Sequence, residues 1–274
     1  PIVPPAVTGV FAWRAFPARG GTSPGAYLAV PALENAGIRV AFTTRHGGYS
    51  DDPFSSLNLS FFSGDEPAVV MANRARAVAM LGGDPMSWTS GRQVHGALSV
   101  RVSGKERGAG ADSGDTTLPG VDALWTDEPG AVLAVLIADC VPVLLADPVG
   151  RRIATVHAGW RGMTSGVIEA TVEAMGGDAD ALIAFIGPSI GPCCYEVGED
   201  VAEPARATLG PEVERRNGSV RVDLWGGARV ALRRAGVTSI HPSTLCTRCE
   251  PHRFFSHRAG HAARQGLLAT IDVA

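Results

Sequence analysis

The sequence predicts a mixed α/β chain, and three observations carry that reading. Residues 131–160 form short segments dense in β-branched and other apolar side chains, stretches with helical spacing lie on either side, and a strand, helix, strand succession runs through 152–187. With 274 residues, 45% of them hydrophobic and 19% charged, the chain can bury a sizeable core.

Taken in order, residues 1–35 read as an N-terminal segment and 36–274 as a single domain, because no composition shift marks a linker. IRVAFTT (38–44) alternates as a strand does and gives way to a glycine turn. EPAVVMANRARAVAMLGG (66–83) places Val69, Val70, Ala77, Met80 and Leu81 near helical spacing and stops at a glycine pair. GRQVHGALSVRV (91–102) reads as two short strands, and 103–120, rich in Gly, Ser, Asp and Pro, as a mobile surface loop.

AVLAVLIADC (131–140), VPVLLADP (141–148) and RIATVHAGW (152–160) read as buried central strands, the last two joined by a turn at 149–151. A helix at 163–177, closed by glycines, and a strand at 181–187 complete a crossover unit. Helices near 198–209 and 223–235 and strands at 237–241 and 267–273 finish the chain.

Charge and hydropathy exclude two partner classes. The net charge of −3 arises from 27 acids and 24 bases with no basic block, so nucleic acid is not an expected partner. The longest apolar run, 131–138, is far shorter than the roughly 20 residues of a membrane-spanning helix. The segment PIVPPAVTGV lacks a basic region and a long apolar region, and five cysteines cannot all pair, which together set the expectation of a cytoplasmic protein.

His95 in RQVHG, Cys140 in ADC and His157 in VHAGW each lie where a strand gives way to a turn. Two imidazoles and a thiolate make a three-donor set with an open fourth position, as a catalytic zinc requires. The residues alone leave the alternative open that Cys140 is a small core side chain and the histidines are ordinary.

The runs TTRHGGYS with SLNLS (43–60), RQVHG (92–96), VDALWT (121–126), ADCVPVLLADP (138–148), VHAGWRG (156–162), IGPSIGPCCYEVG (186–198) and CT…FFSHR (246–258) together resemble the YfiH/YlmD laccase-domain family. Its members are called polyphenol oxidoreductases, purine nucleoside phosphorylases or peptidoglycan editing factors. The blocks keep family order over about residues 40–270. The resemblance implies a YfiH-like catalytic domain of two mixed β-sheets packed together with helices outside, distantly similar to a toxin with a Cys-His hydrolytic pair. It also implies a metal site of His95, Cys140 and His157. At 256–266 the chain departs from the family, reading SHRAGHAARQG where SYRRDGxTGR is usual, so Arg258 and Arg264 are not carried over as substrate contacts.

The function so implied is a zinc-dependent purine nucleoside phosphorylase with adenosine deaminase activity, with small nucleosides and phosphate as partners, in a monomer or weak homodimer. Zinc suits deamination because it lowers the pKa of a bound water towards about 7. For phosphate, the turn HAGWRGMTSG leads into a helix N-terminus, with Arg161 and Arg45 as cations that either hold the anion or serve as a surface salt bridge or carbonyl cap. Asn58 either reaches substrate or bonds backbone in a turn. Asp139, beside the thiol, either orients an imidazole, carries a proton or caps a turn.

Two other chemistries stay open. Either Cys140 activated by His157 as a nucleophile, or a zinc hydroxide at the same site, would hydrolyse an amide in a misassembled peptidoglycan precursor. Copper suits a Cys/His/His set, but a multicopper oxidase needs close His-x-His pairs, and none occurs among the seven histidines at 46, 95, 157, 241, 252, 257 and 261. The non-enzymatic alternative is a structural-metal or interaction module on Cys193, Cys194, Cys246 and Cys249, but a CC paired with a CTRC does not match the usual two-knuckle zinc spacing, so packing or a redox pair is expected there.

Overall fold

A computed structural model describes residues 9–18, 20–210, 213–216 and 219–273. The strands are β1 (Ala12–Phe16), β2 (Gly25–Ala29), β3 (Ile38–Thr43), β4 (Trp88–Arg92), β5 (Ser99–Arg101), β6 (Leu118–Pro119), β7 (Ala123–Thr126) and β8 (Val132–Ile137). They continue as β9 (Val141–Asp147), β10 (Arg152–Ala158), β11 (Ile183–Ile186), β12 (Glu196–Val197), β13 (Val213–Arg216), β14 (Ser219–Val222), β15 (Ser239–Pro242) and β16 (Gln265–Ile271). The helices are α1 (Pro67–Ala79), α2 (Trp160–Thr164), α3 (Val167–Met175), α4 (Glu199–Leu209) and α5 (Leu224–Arg234).

Two large mixed sheets form, one of seven strands in the order β1-β2-β3-β16-β8-β4-β6 and one of six in the order β15-β11-β9-β10-β7-β5. A small sheet, β12-β14-β13, lies apart. Side-chain alternation explains the layering. In β9, Val141, Val143 and Leu145 join the cluster beneath α3 and α5, whereas Leu144 and Ala146 join the cluster that holds Leu28, Val40 and Phe42 of the other sheet. Val132 and Ala134 of β8 face α1 with Ala77 and Val78, while Leu133 and Val135 face the inter-sheet core. The layers therefore run helix, sheet, sheet, helix. Each large side chain so buried contributes roughly 1.5–3 kcal/mol.

Residues on both sides of the expected boundary at 36 share one sheet: β1 and β2 pair with each other, and β2 pairs with β3. Residues 1–8 of the expected N-terminal segment lie outside the described residues. The expected helix at 163–177 is broken, because Gly166 adopts φ 82 and separates α2 from α3. The segment 103–120 is tied down, contrary to the expectation of a mobile loop. Ala111 is buried, Gly108 N–H donates to Thr89 Oγ1 at 3.1 Å, and the carbonyl of Gly110 accepts from the buried Arg74 guanidinium. No helix of the described residues is long and apolar enough to cross a membrane.

Candidate metal centre and cavity

The chain passes from one large sheet to the other through a three-residue link, Ala138, Asp139 and Cys140, between β8 and β9. Register then brings the thiol to His157. Strand β10 runs antiparallel to β9 with Ala158 opposite Val141 and His157 opposite Pro142, so the next position out sets Cys140 against Gly159. A Cβ on Gly159 would stand 2.9 Å from Cys140 Sγ and 3.0 Å from His95 Cδ2, and only glycine leaves this space free.

His95 arrives from the segment after β4. The Gln93 side chain extends the pairing of β4 with β8, donating to Leu136 O at 2.8 Å and accepting from Leu136 N–H at 2.7 Å. His95 itself has φ 62. The fully buried Asp122, at the entrance to β7, holds that conformation by accepting backbone N–H bonds from Val94, His95 and Gly96 at 3.0, 2.9 and 2.9 Å.

The same carboxylate lies 2.8 Å from His157 Nδ1, which directs the other ring nitrogen, Nε2, away from Asp122. Cys140 Sγ is 3.7 Å from His95 Nε2, and the two imidazole rings stand 4.8 Å apart, centroid to centroid. The three donor atoms lie within 4.8 Å of one another. Two imidazole nitrogens and a sulfur at this separation, with one imidazole braced by a carboxylate, fit a borderline-soft cation such as zinc.

The electrostatics of the cluster agree with that donor set. Burial opposes ionisation of Cys140, but the His157 and His95 rings outweigh it and bring the thiol down to about 6. Burial likewise opposes charge on His157, yet the Cys140 sulfur and Asp122 raise it to about 9. Burial works against the Asp122 carboxylate too, and His157 with the amides of Val94 and Gly96 holds it below its ordinary value.

The donor set lines a cavity of about 530 Å³. Three exposed arginines on its wall lie over aromatic rings: Arg92 over Phe62 at 3.7 Å, Arg161 over Trp160 at 4.4 Å and Arg258 over Tyr195 at 5.0 Å.

With this geometry, comparison with known proteins is decisive. The family model described as multi-copper polyphenol oxidoreductase laccase matches residues 39–272. The chain belongs to that family. Within it, the chain is 40% identical over 249 residues to the purine nucleoside phosphorylase YlmD of Geobacillus stearothermophilus, covering 86% of this chain and 90% of the relative. It is 44% identical over 222 residues to the purine nucleoside phosphorylase ORF3 of Streptomyces griseus, covering 80% and 87%. The crystal structure of Geobacillus stearothermophilus YlmD superposes with a TM-score of 0.85 at 36% identity, covering 91% of this chain and 97% of that one. The Bacillus licheniformis hypothetical protein YfiH gives 0.83 at 31% identity, covering 93% and 99%. The laccase-family fold is thus the expected pair of mixed sheets with outer helices.

Of the expected site residues of this laccase-family chain, His95, Asp139, Cys140, His157 and Arg161 line one cavity, whereas Arg45 and Asn58 lie outside its lining. Arg45 donates to Ser55 O at 3.1 and 3.2 Å and to Pro251 O at 2.8 Å, so its guanidinium is occupied by loop carbonyls and does not line the cavity. Asn58 is fully buried and bonds Ser63 Oγ, Asp65 Oδ2 and the N–H groups of Ser60 and Arg264, which makes it a turn anchor. Asp139 touches the cavity, but its carboxylate accepts from Thr247 Oγ1 at 2.6 Å and Arg258 N–H at 2.7 Å. It pins the turn while Asp122, which the sequence did not single out, braces the imidazole. The α2 helix after VHAGW has only five residues, too short for much dipole.

Proposed function

We propose that this chain is a zinc-dependent purine nucleoside phosphorylase that accepts adenosine, inosine, guanosine and methylthioadenosine and also deaminates adenosine. The observation that carries the reading is the union, in one cavity, of the His95, Cys140 and His157 donor set with the arginines that lie over Phe62, Trp160 and Tyr195. The names of the relatives support it.

The cavity is of a size that takes a small ligand. The rings of Phe62, Trp160 and Tyr195 offer flat apolar surface to a purine, and the edges of Arg92, Arg161 and Arg258 offer paired N–H donors to phosphate. In phosphorolysis a phosphate oxygen bonds to the ribose C1′ as the bond from C1′ to the purine nitrogen breaks, so the arginines orient the nucleophile and lower its repulsion with the sugar oxygens. Asp122 accepts the Nδ1–H of His157, which leaves Nε2 as the nitrogen that would meet the metal once its own proton is displaced. A zinc ion bound to the three donors supplies Lewis acidity. Zinc is favoured over multicopper chemistry because the described residues contain no histidine cluster for further copper ions. The partners are then nucleoside and phosphate, the protein acts as a monomer or weak homodimer, and five free thiols support a reducing, cytoplasmic setting.

A second reading rests on one specific observation. Without metal, the depressed Cys140 thiol, the raised His157 and the bracing Asp122 form a cysteine, histidine, aspartate succession suited to amide hydrolysis. Turnover of adenosine with and without phosphate, before and after chelation, separates the two. Ribose 1-phosphate formed only with phosphate and zinc supports the first; amidase activity that survives chelation supports the second.

A further inference from the structure

Four thiols outside the cavity converge. Cys193 and Cys194 lie in the loop after β11, and Cys246 and Cys249 in the loop after β15, with the two loops aligned by a parallel bridge between Ser189 and Cys246. All four sulfur atoms lie within 4.8 Å of one another. Cys249 Sγ is 3.5 Å from Cys193 Sγ and 3.4 Å from Cys194 Sγ, much longer than the roughly 2.05 Å of a disulfide. A tetrahedral ion with sulfur ligands at about 2.3 Å sets those sulfurs about 3.8 Å apart, close to the separations here. The unusual spacing, an adjacent pair against a C-x-x-C, is therefore reconciled in three dimensions.

The surroundings suit a cluster of thiolates. Gly191 N–H donates to Cys246 Sγ at 3.2 Å. Arg221 donates to the carbonyl of Cys193 at 2.7 Å, and its Nε is buried with no hydrogen-bond partner among the described residues. Arg221, Arg248 and Arg258 line the hollow beside Cys193 and Cys194, with Glu196. Four thiolates around a divalent ion leave a net charge of −2, which these guanidinium groups offset.

We propose that Cys193, Cys194, Cys246 and Cys249 bind a structural zinc ion, separate from the donor set in the cavity. Binding displaces the four thiol protons to solvent and closes the coordination shell, leaving no open position for substrate. The ion staples two loops that build one wall of the cavity: Tyr195 follows Cys194 directly, and His257 and Arg258 follow Cys249. Thr247, between the two cysteines of the second loop, reaches Asp139 beside Cys140. The staple thus holds the cavity wall from behind.

The test counts metal on the 274-residue chain carrying His95→Ala and His157→Ala, purified under reductant after growth with zinc. One zinc per chain is expected, and it should disappear when Cys193→Ser and Cys249→Ser, both at exposed positions, are added. Exchange into cobalt(II), which needs no cysteine variant, should give the intense visible bands of a tetrahedral all-sulfur site. Zinc-free protein with four freely reactive loop thiols overturns the proposal. So does a Cys193–Cys249 or Cys194–Cys249 disulfide in the mass of protein purified without reductant, or a cobalt spectrum of nitrogen and oxygen donors.

Discussion

The Asp122 carboxylate stands 2.8 Å from His157 Nδ1, so one fully buried acid braces an imidazole on β10 while its other contacts fix the loop that carries His95. Both histidines of the candidate metal site depend on this residue, and neither neighbours it in sequence.

Asp122→Asn keeps the shape but turns an amide towards the N–H groups of Val94 and Gly96, which then lack an acceptor. Zinc affinity should fall about 10- to 100-fold, the usual cost of losing a partner that orients a ligand. Competition against a chromophoric chelator measures it.

Gly159→Ala tests the spacing of the donors. The new methyl would press on Cys140 Sγ at 2.9 Å and His95 Cδ2 at 3.0 Å and push them apart. A misplacement of about 1 Å costs on the order of 100-fold in rate, so kcat/KM should fall by at least tenfold. Circular dichroism and thermal melting should show the fold retained.

The stability of the metal-free protein should change little between about pH 6 and 9, because two opposing contributions nearly cancel there. The lowered Cys140 thiol contributes stability present in full above its ordinary 9.0 and lost as pH falls through about 6. The raised His157 contributes stability present in full below its ordinary 6.5 and lost as pH rises through about 9. Because zinc must displace the Nε2 proton of His157, its affinity should rise about tenfold per pH unit across that window. Isothermal titration at three pH values in buffers of different ionisation enthalpy checks both the slope and the single proton released.

Much of the fold was legible because β8, β9 and β10 are buried on both faces, which leaves nearly continuous apolar runs. Cys140 and His157 were legible for the same reason, as polar residues ending such runs. Asp122 was not, since the groups that donate to its carboxylate come from residues 94–96 and 157. The one available signal was an acid at the threshold of the apolar run ALWT, where burial demands a partner. Arg45 and Asn58 resembled substrate ligands in sequence because the groups they bond, at 251 and 264, are brought near only by the fold. Gly166, inside an otherwise helical pattern, carried the break between α2 and α3.

Arg161 and Asn58 should separate in their effects. Arg161→Met removes a cavity cation over Trp160 and should raise the KM for phosphate about 10- to 100-fold, as expected for a charged hydrogen bond of about 1.5–3 kcal/mol, while adenosine deamination without phosphate is unchanged. Asn58→Ala removes buried hydrogen bonds to Ser63, Asp65 and Arg264 and should cost about 2–4 kcal/mol of stability. Steady-state kinetics at varied phosphate, with urea unfolding, distinguishes the two.

The most direct measurement follows inosine and phosphate with zinc-loaded protein, with the same protein stripped by chelator, and with Cys140→Ala checked for a native melting transition. The account predicts hypoxanthine and ribose 1-phosphate from the loaded protein alone, restored to the stripped protein by zinc. Full activity in the stripped protein, or no turnover of any purine nucleoside by the loaded one, would contradict it.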